Sequence, residues 1–211
     1  DSFELQNIEE PPQRAARVRH TSDESLTTTK MILGFRTPGA NHPDTAALLL
    51  WAQLLASKSY GLPAVLQERH NLVTTVDATH TFMKDHGTFT VTVECHPQHQ
   101  KAVRDWLFWK LTKSTHQEPP PDNHVHRSIA SYSMKQALEW ETCGEHASGL
   151  GFLVGRMGLE ATRDLNNHIQ SLAPADLQAI ALKYFQANAW VEASLGPSAK
   201  QPTNEQKQPN Q

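Results

Sequence analysis

Residues 72–95 read LVTTVDATHTFMKDHGTFTVTVEC. Two alternating runs, Leu72–Phe82 and Thr88–Cys95, flank the turn-forming tetrapeptide Lys84-Asp85-His86-Gly87. Alternation is what a half-buried strand requires, because successive side chains point to opposite faces of a sheet. The stretch is therefore expected to be an antiparallel hairpin with one face buried and one in solvent. That buried face needs a covering layer, and the sequence on either side supplies helices.

Upstream, Leu26–Phe35 combines a threonine run with Met31, Ile32 and Leu33, which predicts a strand closed by Gly39. Pro43 then opens an apolar helix carrying Ala47, Leu50, Trp51, Leu54 and Leu55 at helical spacing, and Leu62–His70 reads as a shorter helix. Downstream of Pro97, Val103, Trp106, Leu107 and Leu111 share one helical face. The rigid loop Glu118-Pro119-Pro120-Pro121-Asp122 interrupts the pattern, after which the chain is nearly all helix to residue 187. One stripe there is Ala130, Met134, Ala137 and Leu138, and another is Leu177, Ile180, Ala181, Tyr184 and Phe185; both are expected to be buried. Pro174 takes the first position of the last helix behind Ala173, which forgoes the ~1 kcal/mol of a Ser or Thr cap. Trp190–Leu195 closes the chain's ordered part as a strand. The element order predicts an α+β fold, an antiparallel β-sheet with helices packed on one face.

The ends frame this unit. Residues 1–12 finish in Glu-Glu-Pro-Pro and read as a linker or arrival segment, residues 13–197 as a single domain, and residues 198–211 as a disordered tail. The chain opens on Asp1, not Met, and reads as a piece of a larger parent, so a missing leader says nothing of compartment. The formal charge of −3 is spread over interspersed signs, which offers no footprint for nucleic acid, and no apolar run reaches the ~20 residues of a membrane span. Cys95 and Cys143 form no framework and are expected to be two buried free thiols.

Twelve histidines raise the question of a metal, which wants three or four ligands at fixed spacing. His124-x-His126 follows the prolines and reads as a solvated loop pair. Cys143 and His146 stand three apart on a helix without a third ligand, and His80, His86, His96 and His99 gather round the hairpin as a surface cluster. The inverted zinc motif His-x-x-Glu-His is absent, because Thr142 stands three before Glu145-His146. Ala147-Ser148-Gly149 is no nucleophile elbow, since His146 occupies the glycine position. Gly149, Gly151 and Gly155 miss the dinucleotide spacing and read as helix-packing glycines, and the five tryptophans as core.

Order and texture then resemble one family. Gly34-Phe35-Arg36-Thr37-Pro38, His42-Pro43-Asp44, Leu66-Gln67-Glu68, Leu72 and Thr88-Phe89-Thr90-Val91 run through the first half. Ser171-Leu172-Ala173-Pro174, Asp176-Leu177-Gln178, Lys183-Tyr184-Phe185 and Leu195-Gly196-Pro197 run through the second. Together, over residues 11–198, they resemble the inactive C-terminal half of pitrilysin/insulinase-type, mitochondrial-processing-peptidase-like zinc metallopeptidases. The resemblance implies two similar halves facing across a chamber, with zinc in the N-terminal half of the parent or in a partner subunit and none here. The implied partners are that N-terminal zinc-binding half, a second family subunit and unfolded peptide substrates, and the implied parent activity is that of a zinc endopeptidase. An exported bacterial parent would work in the periplasm, otherwise the cytoplasm.

Active C-terminal halves of that family carry an Arg and a Tyr that hold substrate and stabilise the developing oxyanion, worth about 3 kcal/mol of barrier for donors of this kind. The matching positions here are Gln67 and Thr74, a degenerate substrate-contact pair. Gln loses the charge and the fork, and Thr is too short to reach where a phenol would. Two function classes follow: a non-catalytic peptidase half, and a pseudo-peptidase scaffold or peptide-binding subunit of a larger complex. An independent histidine-based metalloprotein is a distant third.

Overall fold

The computed structural model describes residue 13 and residues 15–197; the arrival segment and the tail expected at the two ends lie outside the described residues. Five strands form one sheet in the order β1-β5-β2-β4-β3. They are β1 (Arg17–Ser22), β2 (Thr29–Pro38), β3 (Thr75–Phe82), β4 (His86–Cys95) and β5 (Trp190–Gly196). The helices are α1 (Thr45–Ala56), α2 (Gln100–Trp109), α3 (Thr115–Gln117), α4 (Asp122–Glu139), α5 (Cys143–Met157), α6 (Leu159–Ser171) and α7 (Pro174–Tyr184). Wider π-helical turns cover Pro63–Arg69 and Lys110–Ser114.

Burial alternates residue by residue along β2, β3, β4 and β5, so one face of the sheet is covered and the other open. The covered face carries Met31, Leu33 and Phe35 on β2, Phe89, Val91 and Val93 on β4, and Trp190 on β5. Against it lie α1, which touches β3, α4, α6 and α7, and α7, which touches β2. Phe185, just past α7, sits with its ring centroid 5.2 Å from Phe35, 4.8 Å from Phe89 and 5.8 Å from Trp51. Trp51 in turn donates from Nε1 to the Leu177 carbonyl at 2.7 Å, satisfying the one polar group of a buried indole. Glu192 is 2% exposed on this face, and Arg104 of α2 meets it at 2.7 Å.

The α+β class holds, and the sheet is mixed: β1 runs parallel to β5, while the β5-β2-β4-β3 pairs are antiparallel. Sequence periodicity does not reveal β1, because Arg17-Val18-Arg19-His20-Thr21-Ser22 is exposed along its whole length. A short, charged edge strand shows no burial pattern to read. The hairpin turn is tighter than expected. His86 and Gly87 belong to β4, and Met83 N–H closes the turn on the His86 carbonyl at 2.7 Å. Gly39 lies beneath that turn, where a side-chain carbon would run into the Lys84 carbonyl.

Several other expectations are corrected. The stripe Ala130, Met134, Ala137 and Leu138 faces outward, with Met134 66% and Leu138 60% exposed; α4 packs instead through Val125 and Ser128. Cys95 is buried but Cys143 is exposed, and both are free. Of the tryptophans, Trp51 and Trp190 are buried, whereas Trp109 is largely exposed and Trp106 and Trp140 are half-buried. Gly149 does serve packing, lying against the Trp140 indole, but Gly151 and Gly155 have no neighbour there to meet. Helical spacing tells which residues share a face, not which face finds a partner. At Pro174 the missing cap oxygen is half replaced: the Asp176 carboxylate accepts the Ala173 N–H at 2.8 Å.

Phe185→Ala should destabilise the domain by roughly 3–5 kcal/mol, the range for emptying a buried aromatic site. Met134→Ser on the outward stripe should change stability by no more than about 0.5 kcal/mol. Urea unfolding of both variants checks the contrast, and similar losses would mean that α4 is packed through Met134.

Candidate functional site

The open face of the sheet is built from threonine. Thr81, Thr79 and Asp77 on β3 stand opposite Thr88, Thr90 and Thr92 on β4, which in turn stand opposite Arg36, Gly34 and Ile32 on β2. β-branched threonine suits an exposed pleated surface and still presents a hydroxyl that can donate and accept. At the β2-end of this face a groove of about 1160 Å³ is lined by Arg17, Arg36, His42, His86, Thr88 and Thr90, among others. Sequence reading quoted Arg36, His42, Thr88 and Thr90 among the family phrases and His86 at the hairpin, but gave none of them a site role, since the groove draws on four separate segments.

Gln67 and Thr74, the pair taken from the resemblance, lie next to each other ahead of the outer strand β3. Gln67 lies on the π-helical turn Pro63–Arg69, anchored by fully buried Leu66. Asn71, in the left-handed region at φ 49°, ends that turn and redirects the chain into β3. The Gln67 Nε2 amide donates to the Thr74 carbonyl at 2.9 Å, and Thr74 N–H donates to the Glu94 carbonyl at 2.7 Å. Both side chains are exposed. One of the two Gln67 amide N–H donors is thus used within the fold. Neither residue lines the groove: Thr75 pairs with Glu94, six residues along β4 from Thr88, or ~20 Å at strand rise.

Two other motifs singled out in the sequence meet in space. Asp44, ahead of α1, accepts from Lys183 Nζ at 2.5 Å and from the Tyr184 hydroxyl at 2.6 Å, with His42 Nδ1 at 3.5 Å. Burial alone would raise the Asp44 pKa, but the Lys183 and Tyr184 hydrogen bonds and the nearby charges outweigh it and hold the carboxyl below its usual value. This cluster latches the start of α1 to the end of α7. It is structural.

The histidines scatter to separate tasks. His124 and His126 are in the first turns of α4, not in a loop; His124 stacks on Tyr60 at 4.3 Å and His126 meets Asp122 at 3.1 Å. His80 is not on the surface. It is 6% exposed on the covered face of β3, with Nε2 3.1 Å from Thr37 Oγ1, and burial lowers its pKa to about 4. Among the described residues no three His, Cys, Asp or Glu side chains gather as a metal site, so these residues do not fit a zinc ion. Nor is any helix among them long and apolar enough to cross a membrane.

The family model described as the peptidase M16 inactive domain matches residues 4–132. In fold the chain is similar to a protease from Helicobacter pylori, at 19% identity and a TM-score of 0.85 over 93% of this chain and 48% of that one. It is similar to a peptidase M16 inactive domain from Pseudomonas fluorescens, at 21% identity and a TM-score of 0.75 over 93% of this chain and 47% of that one. It is also similar to a chain of complex III2 from Candida albicans, at 17% identity and a TM-score of 0.68 over 85% and 45%. The chain spans about half the length of each of the three. No curated protein matches it by sequence.

Because both side chains are exposed, the double variant Gln67→Arg, Thr74→Tyr should fold with a stability within about 0.5 kcal/mol of the native chain. A loss beyond about 1.5 kcal/mol would show that the Gln67–Thr74 link is itself structural. His80 yields a pH dependence. Its unfolded-state pKa is 6.5 and its folded pKa about 4, so between those values the unfolded chain takes up a proton that the folded chain refuses. Its contribution is complete above pH 6.5 and is lost as the pH falls toward 4, by roughly 3 kcal/mol. Urea midpoints from pH 7.5 to 4 should fall further for the native chain than for His80→Phe, and parallel curves would exclude the imidazole as the cause.

Proposed function

The chain belongs to the family of peptidase M16 inactive domains, and from that membership we propose that it is the non-catalytic half of a zinc metallopeptidase. In this role it forms chamber wall and substrate-contact surface opposite a zinc-bearing half, on the same parent chain or in a second family subunit. The observation that carries the proposal is the threonine face, which no described element covers, beside the basic-rimmed groove. Hydroxyls on a flat sheet hold extended backbone without choosing among side chains, which suits unfolded peptides as the substrate class. The described residues do not fit zinc, so no bond-breaking step is assigned to them. Gln67 and Thr74, the pair matched to the clamp, supply no charge, and one of the two Gln67 N–H donors is already bonded to the Thr74 carbonyl.

A second reading, the pseudo-peptidase scaffold, is favoured by that same pair. With the clamp residues replaced, the domain can still bind or assemble where it cannot help turn over. The likeness to a chain of complex III2 supports this reading in kind.

The two separate in an assembly of this chain with the zinc-bearing half of its parent, followed with a quenched unfolded peptide. Thr90→Arg with Thr92→Lys should lower kcat/KM about tenfold while zinc content and thermal midpoint hold, and unchanged turnover would rule out the open face as chamber wall. Gln67→Arg with Thr74→Tyr should raise kcat, by up to about a hundredfold if both donors reach the oxyanion. No gain with zinc in place would favour the scaffold.

A further inference from the structure

Gly34 lies in the middle of the open face, on a strand that is paired on both sides. Glycine in a strand interior packs nothing and weakens the strand, so its presence calls for a reason. The backbone gives none: among the described residues only Gly158 and Asn71 have a positive φ. Crowding gives none either. A Cβ on Gly34 would stand 3.9 Å from the Thr90 Cγ2 methyl, an ordinary contact, whereas one on Gly87 would come within 2.7 Å of the Pro38 carbonyl oxygen. What the missing side chain does is hollow the floor of the basic-rimmed groove. A strand glycine of that kind often marks the close approach of a ligand or another backbone.

We propose that this groove holds an acidic segment of the extended peptide, with carboxylates on alternate residues, laid over Gly34 between Arg17 and Lys84. The proposal rests on the chamber-wall reading and narrows its substrate class from unfolded peptides in general to acidic ones.

Charge selects the occupant. Strand pairing sets Arg17, Val191, Gly34, Thr90 and Thr79 in one row across the five strands. Arg17 is therefore two strands from Gly34, about 10 Å, and Arg36 is two residues along β2, about 7 Å. Lys84 stands at the far end, in the turn of the hairpin. Against these three cations Asp85 is the one carboxylate among the described residues that line the groove, a net of +2 on a chain whose formal charge is −3. Among the described residues no ion pair involves Arg17 or Lys84. A local excess of one sign in a cleft draws in the opposite charge.

Spacing gives the occupant its form. The cations are spread along the groove: four residues of β2, about 13 Å, separate the Gly34–Thr90 pair from the Pro38–His86 pair at the turn. One small anion cannot meet charges this far apart. An extended peptide repeats its side chains on one side about every 7 Å, so acidic residues at three alternate positions cover that length. The Thr88 and Thr90 hydroxyls lie alongside and can accept from peptide N–H groups.

The test uses the 211-residue chain at low salt with acetyl-Ser-Glu-Thr-Glu-Thr-Glu-Ser-amide, and with its counterparts carrying Gln or Lys in place of every Glu, in calorimetry and amide NMR. The Glu peptide should bind about tenfold tighter than the Gln peptide, the scale of two partly exposed charge contacts, and the Lys peptide should bind most weakly. Net charge alone would have the chain repel the Glu peptide, so this order reports the groove. Shifts should centre on the Gly34, Thr88 and Thr90 amides, and about 0.5 M salt should remove most of the preference. In Arg17→Gln with Lys84→Gln the preference should fall below about threefold while the Gln peptide binds as before. Gly34→Val should keep the thermal midpoint and weaken the Glu and Gln peptides alike, by about tenfold, because the hollow is filled. Equal affinity for Glu and Gln peptides, or shifts centred elsewhere, would overturn the proposal and leave the chamber reading standing. No binding of any of the three at millimolar concentration would sink both. Should either variant fail to fold, the native order of affinities and the shift map decide it.

Discussion

Phe185 stands where the two ends of the fold are pinned together. Its ring fills the space between Phe35 on β2, Phe89 on β4 and Trp51 on α1, so one side chain near the end of α7 touches the sheet's centre and the first helix at once. Burying aromatic surface in this way is the dominant favourable term available to a domain of this size. The residues on either side support it. Lys183 and Tyr184 close on Asp44, Trp51 closes on Leu177, and His116 and Gln178 join α3 to α7 at 3.0 Å each. With α7 held there, the chain emerges beside β2 and β5 enters the sheet between β2 and β1.

That placement has a consequence for the other side of the sheet. The described helices pack on the face of Phe35 and Phe89, so among the described residues no layer lies over the threonine face. An uncovered face in an antiparallel region is stable if it is polar, and rows of threonine meet that condition while remaining able to hydrogen bond. The position of Gln67 and Thr74 follows from the same geometry. They flank the entry to the outer strand, where a charged fork on a long side chain could lean over the open face. Here the shorter amide bonds to the neighbouring carbonyl instead.

Much of this could be read in the amino-acid order. The strands β2, β3, β4 and β5 and the inner stripe of α7 show because a one-sided sheet and a helix packed on it impose periods of two and of about 3.6 on hydrophobicity. The phrases around Asp44 and around Lys183-Tyr184-Phe185 were visible as motifs, and the structure gives them one cause, a latch between the first and last helices. Strand β1 was not visible, because a fully exposed edge strand buries nothing and so imposes no pattern. Met134 and Leu138 mislead for the opposite reason: they have helical spacing and apolar character but no described element lies over them.

Local order alone carries the α+β class, a sheet with one buried face and the lack of a zinc motif, since each depends on local periodicity or on spacing within one element. The folded chain was needed to show that β1 pairs parallel with β5, that His80 is buried with one nitrogen unpaired, that a Gln67 N–H bonds the Thr74 carbonyl, and that four distant segments rim one groove. These depend on which surfaces meet after the chain has folded back on itself, and contacts between residues far apart leave no regular interval in the sequence to be read.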